Sequence, residues 1–216
     1  MQKVLLFDLD GTVIDSTEAI VESFLRTYRH FGVEAPESKS ILPQIGHPLF
    51  DMFVNLGVDS ADAQEYVVEY KKNYPQVHTL KTELLPGAKE AIELAHKSGA
   101  RLGVVTTKTG KFAIELLEYF GVMHYFEVLV GSEDVKKHKP DAEPVVRALE
   151  VMGVTKRNSV YMIGDTCMDV QAALNAGVKG VAVEFKYSSL DELKVCSKVV
   201  KCCIFEAVKD ILANKI

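Results

Sequence analysis

The 216-residue chain has no block of basic residues, no long apolar run and no Cys-x-x-Cys pair, and each absence closes off a class of function. Nucleic-acid binding draws most of its affinity from clustered lysine and arginine that displace counterions. Here 25 Lys and Arg face 30 Asp and Glu, a net charge of −5, so no nucleic-acid partner is expected. A membrane span needs about 20 consecutive apolar residues. The longest uncharged apolar runs in this chain are a few residues, so no membrane association is expected. The apolar stretch that starts at Val4 meets Asp8 and Asp10 before it is long enough to serve as a secretory signal, and a cytoplasmic location is expected. Cys167, Cys196, Cys202 and Cys203 lack metal-binding spacing, so four reduced thiols with packing roles are expected.

What is present is an ordinary globular mixture. Hydrophobic residues at 48% against 25% charged exclude a disordered or low-complexity chain. At about 150 residues per domain the length corresponds to roughly 1.4 domains, one large domain or one carrying an insertion. A chain of this size buries roughly 70% of its unfolded surface and needs no disulfide or zinc to hold a core.

Short, nearly continuous apolar runs mark strands buried on both faces of a parallel sheet. They fall at 4–9, 101–106, 128–130, 159–163 and 180–183, with a weaker sixth at 199–200. Between them lie amphipathic patterns at 87–97, 111–120, 141–152 and 168–176, each closed by a glycine: Gly99, Gly121, Gly153 and Gly177. Strands alternating with helices of this length predict right-handed βαβ units and a doubly wound α/β sheet. The alternation fails from Asp15 to about Leu84, where helical patterns appear without a convincing strand. Asp15-Ser16-Thr17-Glu18 reads as a capping box opening a helix that ends at His30, and further helices are expected at 49–56 and 61–73. The expected organisation is a discontinuous core of residues 1–14 and 85–216 with a small α-helical domain, 15–84, inserted after the first strand.

The chemistry-bearing residues sit where these strands end, the position at which open α/β sheets bind ligands. The first strand runs into Asp8-Leu9-Asp10-Gly11-Thr12. On an extended strand Asp8 and Asp10 share a face roughly 7 Å apart. At an effective dielectric of about 20 they repel by roughly 2–3 kcal/mol, which favours a bound cation or a proton. Carboxylates with water and phosphate oxygens suit Mg²⁺. The second strand ends in Thr106-Thr107-Lys108, a later loop carries Lys139-Pro140-Asp141, and the fourth strand ends in Gly164-Asp165-Thr166-Cys167-Met168-Asp169. Taken singly, each of these residues has an ordinary structural explanation: a turn acid, a strand-end threonine, a surface lysine, a helix cap.

As an ordered set they resemble the haloacid dehalogenase superfamily, and within it the phosphoglycolate phosphatase and pyrophosphatase-like branch with a helical cap. The resemblance covers nearly the whole chain. It implies a Mg²⁺-dependent phosphohydrolase in which Asp8 is the nucleophile and forms an aspartyl-phosphate. Asp10 would protonate the leaving oxygen and then activate water, its backbone carbonyl also touching the metal. Thr106, Lys139 and backbone N–H groups around Gly11, Thr12 and Thr107 would hold the phosphoryl oxygens, with Lys139 keeping Asp8 ionised. Asp8, Asp10, Asp165 and Asp169 would form the metal site. An acid two residues after the nucleophile points to phosphate esters or anhydrides, since a leaving halide needs no proton.

The inserted helices would select the substrate. Ile45, Gly46 and His47 resemble the first substrate loop of such a cap, and Lys71 a helix that supplies a cation to a second anionic group, the carboxylate of phosphoglycolate or the distal phosphate of pyrophosphate. Phosphoglycolate phosphatases often carry Asn where Thr107 stands and Arg where Lys71 stands, and lysine cannot make the bidentate carboxylate contact of arginine. A phosphoglycolate phosphatase-like hydrolase of small phosphate monoesters is still the leading expectation, with an inorganic pyrophosphatase-like member or a phosphomutase of the same architecture as alternatives and a phosphate-accepting signalling domain as the alternative of another class. The small phosphorylated substrate is the only partner expected beyond a possible second copy, as monomer or homodimer.

Overall fold

The structure, a computed structural model, describes residues 2–216. Six parallel strands form one sheet: β1 (Val4–Phe7), β4 (Arg101–Val105), β5 (Val128–Val130), β6 (Val160–Gly164), β7 (Lys179–Val183) and β8 (Val200–Lys201), in the order β5-β4-β1-β6-β7-β8. Every residue of β1 is buried because it lies between β4 and β6 and is covered on both faces. Alternate side chains sort to opposite layers, as the period of a strand requires. Leu5 and Phe7 join Ile92 of α5 (Ala88–Lys97), Leu116 of α6 (Gly110–Tyr119) and Ile211 of α10 (Ile204–Leu212). Val4 and Leu6 join Leu149 of α7 (Glu143–Val151) and Ala173 of α8 (Cys167–Asn175) on the other side.

The stretch without buried strands holds α1 (Thr17–His30), α2 (Ser38–Ile41), α3 (Leu49–Asn55) and α4 (Ala63–Asn73). They pack around an aromatic cluster of their own that includes Phe24, Phe53, Tyr66 and Tyr70, to which Phe112 and Tyr187 also belong. Phe24 and Phe53 lie 4.5 Å apart between ring centroids and Phe31 stacks on Tyr66 at 4.1 Å. Where the chain leaves for these helices and where it returns, β2 (Ile14–Asp15) and β3 (Glu83–Leu84) pair antiparallel, Ile14 opposite Leu84. Two-residue strands carry too few positions to show a period, so the sequence does not announce this pairing.

Two expectations are corrected, and the last part of the chain gains elements that the sequence left open. The capping box at Ser16 does not form: Ser16 makes no side-chain bond to the helix, its hydroxyl donates to Asp10, and Asp15 Oδ1 accepts from the Thr17 N–H at 3.0 Å instead. The weak sixth run is a strand, and it is followed by α10; α9 (Leu190–Cys196) also forms, opened by Ser189 with Glu192 as a capping box. The cysteines are not four free thiols, because Cys167 and Cys196 are joined in a disulfide with Cα atoms 5.7 Å apart, while Cys202 and Cys203 remain free. The partners are 29 residues apart, and they meet only because the start of α8 and the end of α9 are brought to one side of β7. Among the described residues no helix is long and apolar enough to cross a membrane.

Candidate active site

β4, β1 and β6 are neighbours in the sheet, and their C-terminal ends present Thr106 to Lys108, Asp8 to Gly11, and Asp165. Asp8 leaves β1 with its N–H on the Ile163 carbonyl at 2.8 Å, and Thr106 leaves β4 with its N–H on Val130 at 2.9 Å. Each side chain is thus fixed by the last rung of the ladder that precedes it.

Lys139, fully buried, supplies an ammonium whose three protons are all committed. Nζ lies 2.8 Å from Asp8 Oδ1, 2.5 Å from Asp169 Oδ1 and 3.3 Å from the Val105 carbonyl. It holds the carboxylate of Asp8, and its other two donors go to Asp169 and the Val105 carbonyl. Asp169 is equally committed: its second oxygen accepts from the Thr166 N–H at 3.0 Å and the Thr166 hydroxyl at 2.6 Å. The side chain that positions the lysine therefore also closes the first turn of α8.

Asp8, Asp165 and Asp169 each place a carboxylate oxygen within 4.8 Å of the others, all buried. Three carboxylates against one ammonium leave two negative charges in a dry site, the charge of one divalent cation. Asp165 completes the case. Its Oδ1 accepts from Thr12 at 3.1 Å, but its Oδ2 is buried without a hydrogen-bond partner among the described residues, a costly state unless a ligand satisfies it. Gly11 stands at φ 82°, and a Cβ there would meet Asp165 Oδ2 at 2.3 Å, so only glycine leaves the oxygen its room. The donor set fits a hard divalent cation.

Electrostatics agree. Burial pushes the Asp8 carboxyl up to about 7 although Lys139 pulls it down, and Asp169 and Asp10 raise it further. Burial, with the Asp8 and Asp169 charges, raises Asp165 well above the usual carboxylate range. Lys139 itself is held above the usual lysine range: burial opposes the charge, and Asp169 and Asp8 outweigh it.

The fourth expected metal acid turns away. Asp10 Oδ1 accepts from the Ser16 hydroxyl and sits 3.1 Å from Lys108 Nζ. Lys108 in turn donates to the Tyr74 hydroxyl at 2.9 Å and lies 4.6 Å from the centroid of that ring. The Asp10 side chain lies outside the group formed by Asp8, Asp165 and Asp169, and both of its contacts fall on one oxygen. The sequence gives Lys108 and Tyr74 no role, and Ser16 only that of a helix cap. Lys108 is visible as the third residue of the Thr106-Thr107-Lys108 strand end, and Tyr74 as the residue just past the end of α4, four after Tyr70.

A cavity of about 260 Å³ opens beside Asp10, between the sheet and the inserted helices. Ile45, Gly46, His47, Lys71 and Thr107 all line it, as do Lys108, Tyr74 and His138. Thr107 donates to the Gly46 carbonyl at 2.9 Å, a direct bond across the cleft. Thr12 does not face the cavity; it is buried and serves Asp165. Thr106 accepts the Lys108 N–H at 3.1 Å, which leaves its hydroxyl proton to donate.

The family model of haloacid dehalogenase-like hydrolases matches residues 5–183. Pyrophosphatase PpaX of Halalkalibacterium halodurans is 34% identical over 190 residues, 88% of this chain and 87% of the relative. Pyrophosphatase PpaX of Bacillus velezensis is 36% identical over 180 residues, covering 83% and 82%. The crystal structure of a predicted phosphatase from Clostridium acetobutylicum superposes with a TM-score of 0.89 at 27% identity, covering 99% of each chain.

Proposed function

From a chain that belongs to the haloacid dehalogenase-like hydrolase family and is a phosphatase of that family, we propose a Mg²⁺-dependent hydrolase of small phosphate esters and anhydrides that works through Asp8. The reading is carried by one observation: a buried carboxylate, Asp8, held at 2.8 Å by Lys139 beside the unsatisfied oxygen of Asp165.

Asp8 Oδ attacks phosphorus, the P–O bond to the leaving group breaks, and the phosphoryl group is carried on the carboxylate. The free oxygen of Asp10 delivers a proton to the leaving oxygen as that bond breaks, and then takes one from the water that attacks the aspartyl-phosphate, which frees phosphate and restores Asp8. The Thr106 hydroxyl and the backbone N–H groups near Gly11 and Thr107 receive the charge that develops on the phosphoryl oxygens. Asp8, Asp165 and the Asp10 backbone carbonyl would hold Mg²⁺, with Asp169 acting through water; when bound, the ion supplies positive charge that offsets nucleophile and substrate repulsion. The helices of residues 15–84 act as a cap, and the Thr107 to Gly46 bond is the closed contact.

Pyrophosphate is placed ahead of phosphoglycolate. The named relatives at 34% and 36% identity are pyrophosphatases, and the cavity offers Lys71, His47 and His138 rather than a forked guanidinium. Phosphate release from pyrophosphate, phosphoglycolate and a sugar 1-phosphate at fixed Mg²⁺ tests this. Pyrophosphate gives the highest kcat/KM, and a chelator abolishes release. Isomerisation of the sugar phosphate without free phosphate would instead establish a mutase. Because the metal-free Asp8 carboxyl titrates near 7, binding below that pH must displace its proton. The apparent Mg²⁺ dissociation constant therefore rises by at least about tenfold per pH unit below 7.

A further inference from the structure

We propose that the Cys167–Cys196 disulfide is a redox strap that holds the metal-binding loop and the hinge of the inserted helices in one arrangement, and that its reduction by a dithiol loosens both. The inference rests on the metal-dependent reading above. Cys167 opens α8, two residues after Asp165 and two before Asp169. Its partner is the last residue of α9, a helix with little else to hold it. Of its seven residues only Leu193 is buried, against Val170 and Ala182, and the neighbouring Val195 is 89% exposed.

The segment that leads into α9 is the other end of the strap. Lys186 Nζ contacts Asp15 at 2.6 Å, and the Tyr187 hydroxyl shares a hydrogen bond with Thr17 at 2.8 Å. Asp15 is the hinge residue that pairs with Glu83 as the chain enters the inserted helices. The disulfide thus closes a ring that passes from the metal loop through α8 and β7 to the hinge contacts, and back through α9. Two electrons and two protons from the dithiol break the S–S bond to give thiols at Cys167 and Cys196, and the dithiol closes to its own disulfide. Both sulfurs belong to half-buried residues, open enough for exchange.

The full-length protein is compared after oxidised glutathione and after dithiothreitol, with intact mass reporting the two hydrogens gained. Magnesium binding is read by calorimetry without substrate, and limited proteolysis reads the order of 184–199. Reduction weakens Mg²⁺ binding about tenfold, the cost of re-ordering roughly one residue of the loop, and opens cleavage sites within 184–199. Cys196→Ser behaves as the reduced protein under both treatments, whereas Cys202→Ser keeps the redox response. Equal Mg²⁺ affinity and equal cleavage in the two states would overturn the strap, as would a redox response that survives in Cys196→Ser. Absent Mg²⁺ binding in both states would contradict the metal-dependent reading instead, and the cleavage pattern would still decide the strap.

Discussion

Asp8→Asn lowers kcat by at least about 10⁴-fold, as expected when a nucleophile is removed and the remaining groups have nothing to assist. Asparagine keeps the shape of the side chain but is a poor nucleophile and carries no charge for Lys139 or a cation to balance. The fold tolerates the change. Burial already pushes the Asp8 carboxyl up to about 7, so removing its charge relieves a crowded site rather than emptying one. Thermal melts of the metal-free variant should match or exceed those of the parent, while steady-state kinetics show the loss. Activity within about tenfold of the parent would mean that another group attacks phosphorus.

Lys139→Met produces the largest change in stability. The parent ammonium touches Asp8 and Asp169 at 2.8 and 2.5 Å in a buried site, and removing one partner of a buried ion pair costs about 3–5 kcal/mol. For a chain of this length each kcal/mol moves Tm by roughly 2–4 °C, so a fall on the order of 10 °C is expected at neutral pH. Activity falls with it, because Asp8 is no longer aimed. The deficit shrinks in mild acid. There Asp8, raised to about 7, and Asp165, raised well above its ordinary value, both take up protons and need no counter-charge. Melts of parent and variant with chelator, across pH, measure this; an unchanged Tm would contradict the charge balance described for the site.

Much of this was legible in the sequence, for reasons of pattern. A strand buried on both faces must be nearly all apolar, so Val4-Leu5-Leu6-Phe7 identifies the centre of the sheet. Acids and a threonine at successive strand ends, with a lysine on the loop before α7, form an ordered set that packing alone does not call for, so Asp8, Asp10, Thr106, Lys139 and Asp165 stand out together. What escaped has no local signature. β2 and β3 are too short to show a period. The Cys167–Cys196 bond joins ends of two helices whose proximity depends on how the chain crosses β7.

The partner a side chain takes is not written in the spacing. Ser16 reads as a helix cap and Thr12 as a substrate residue, yet their hydroxyls donate to Asp10 and Asp165. Asp169 does both tasks, capping α8 and gripping Lys139. Sequence spacing reveals which residues reach a strand end; which carboxylate each hydroxyl or ammonium serves there is set by the folded site.

The central claim is that phosphoryl transfer passes through Asp8 as a covalent intermediate, and the stereochemistry at phosphorus tests it most directly. A phosphate ester made chiral with oxygen isotopes is hydrolysed by the parent enzyme with Mg²⁺ and an acceptor that captures the phosphoryl group without loss of its configuration. Two in-line displacements, one by Asp8 and one by the acceptor, give net retention. Inversion would show a single direct displacement and would contradict the account.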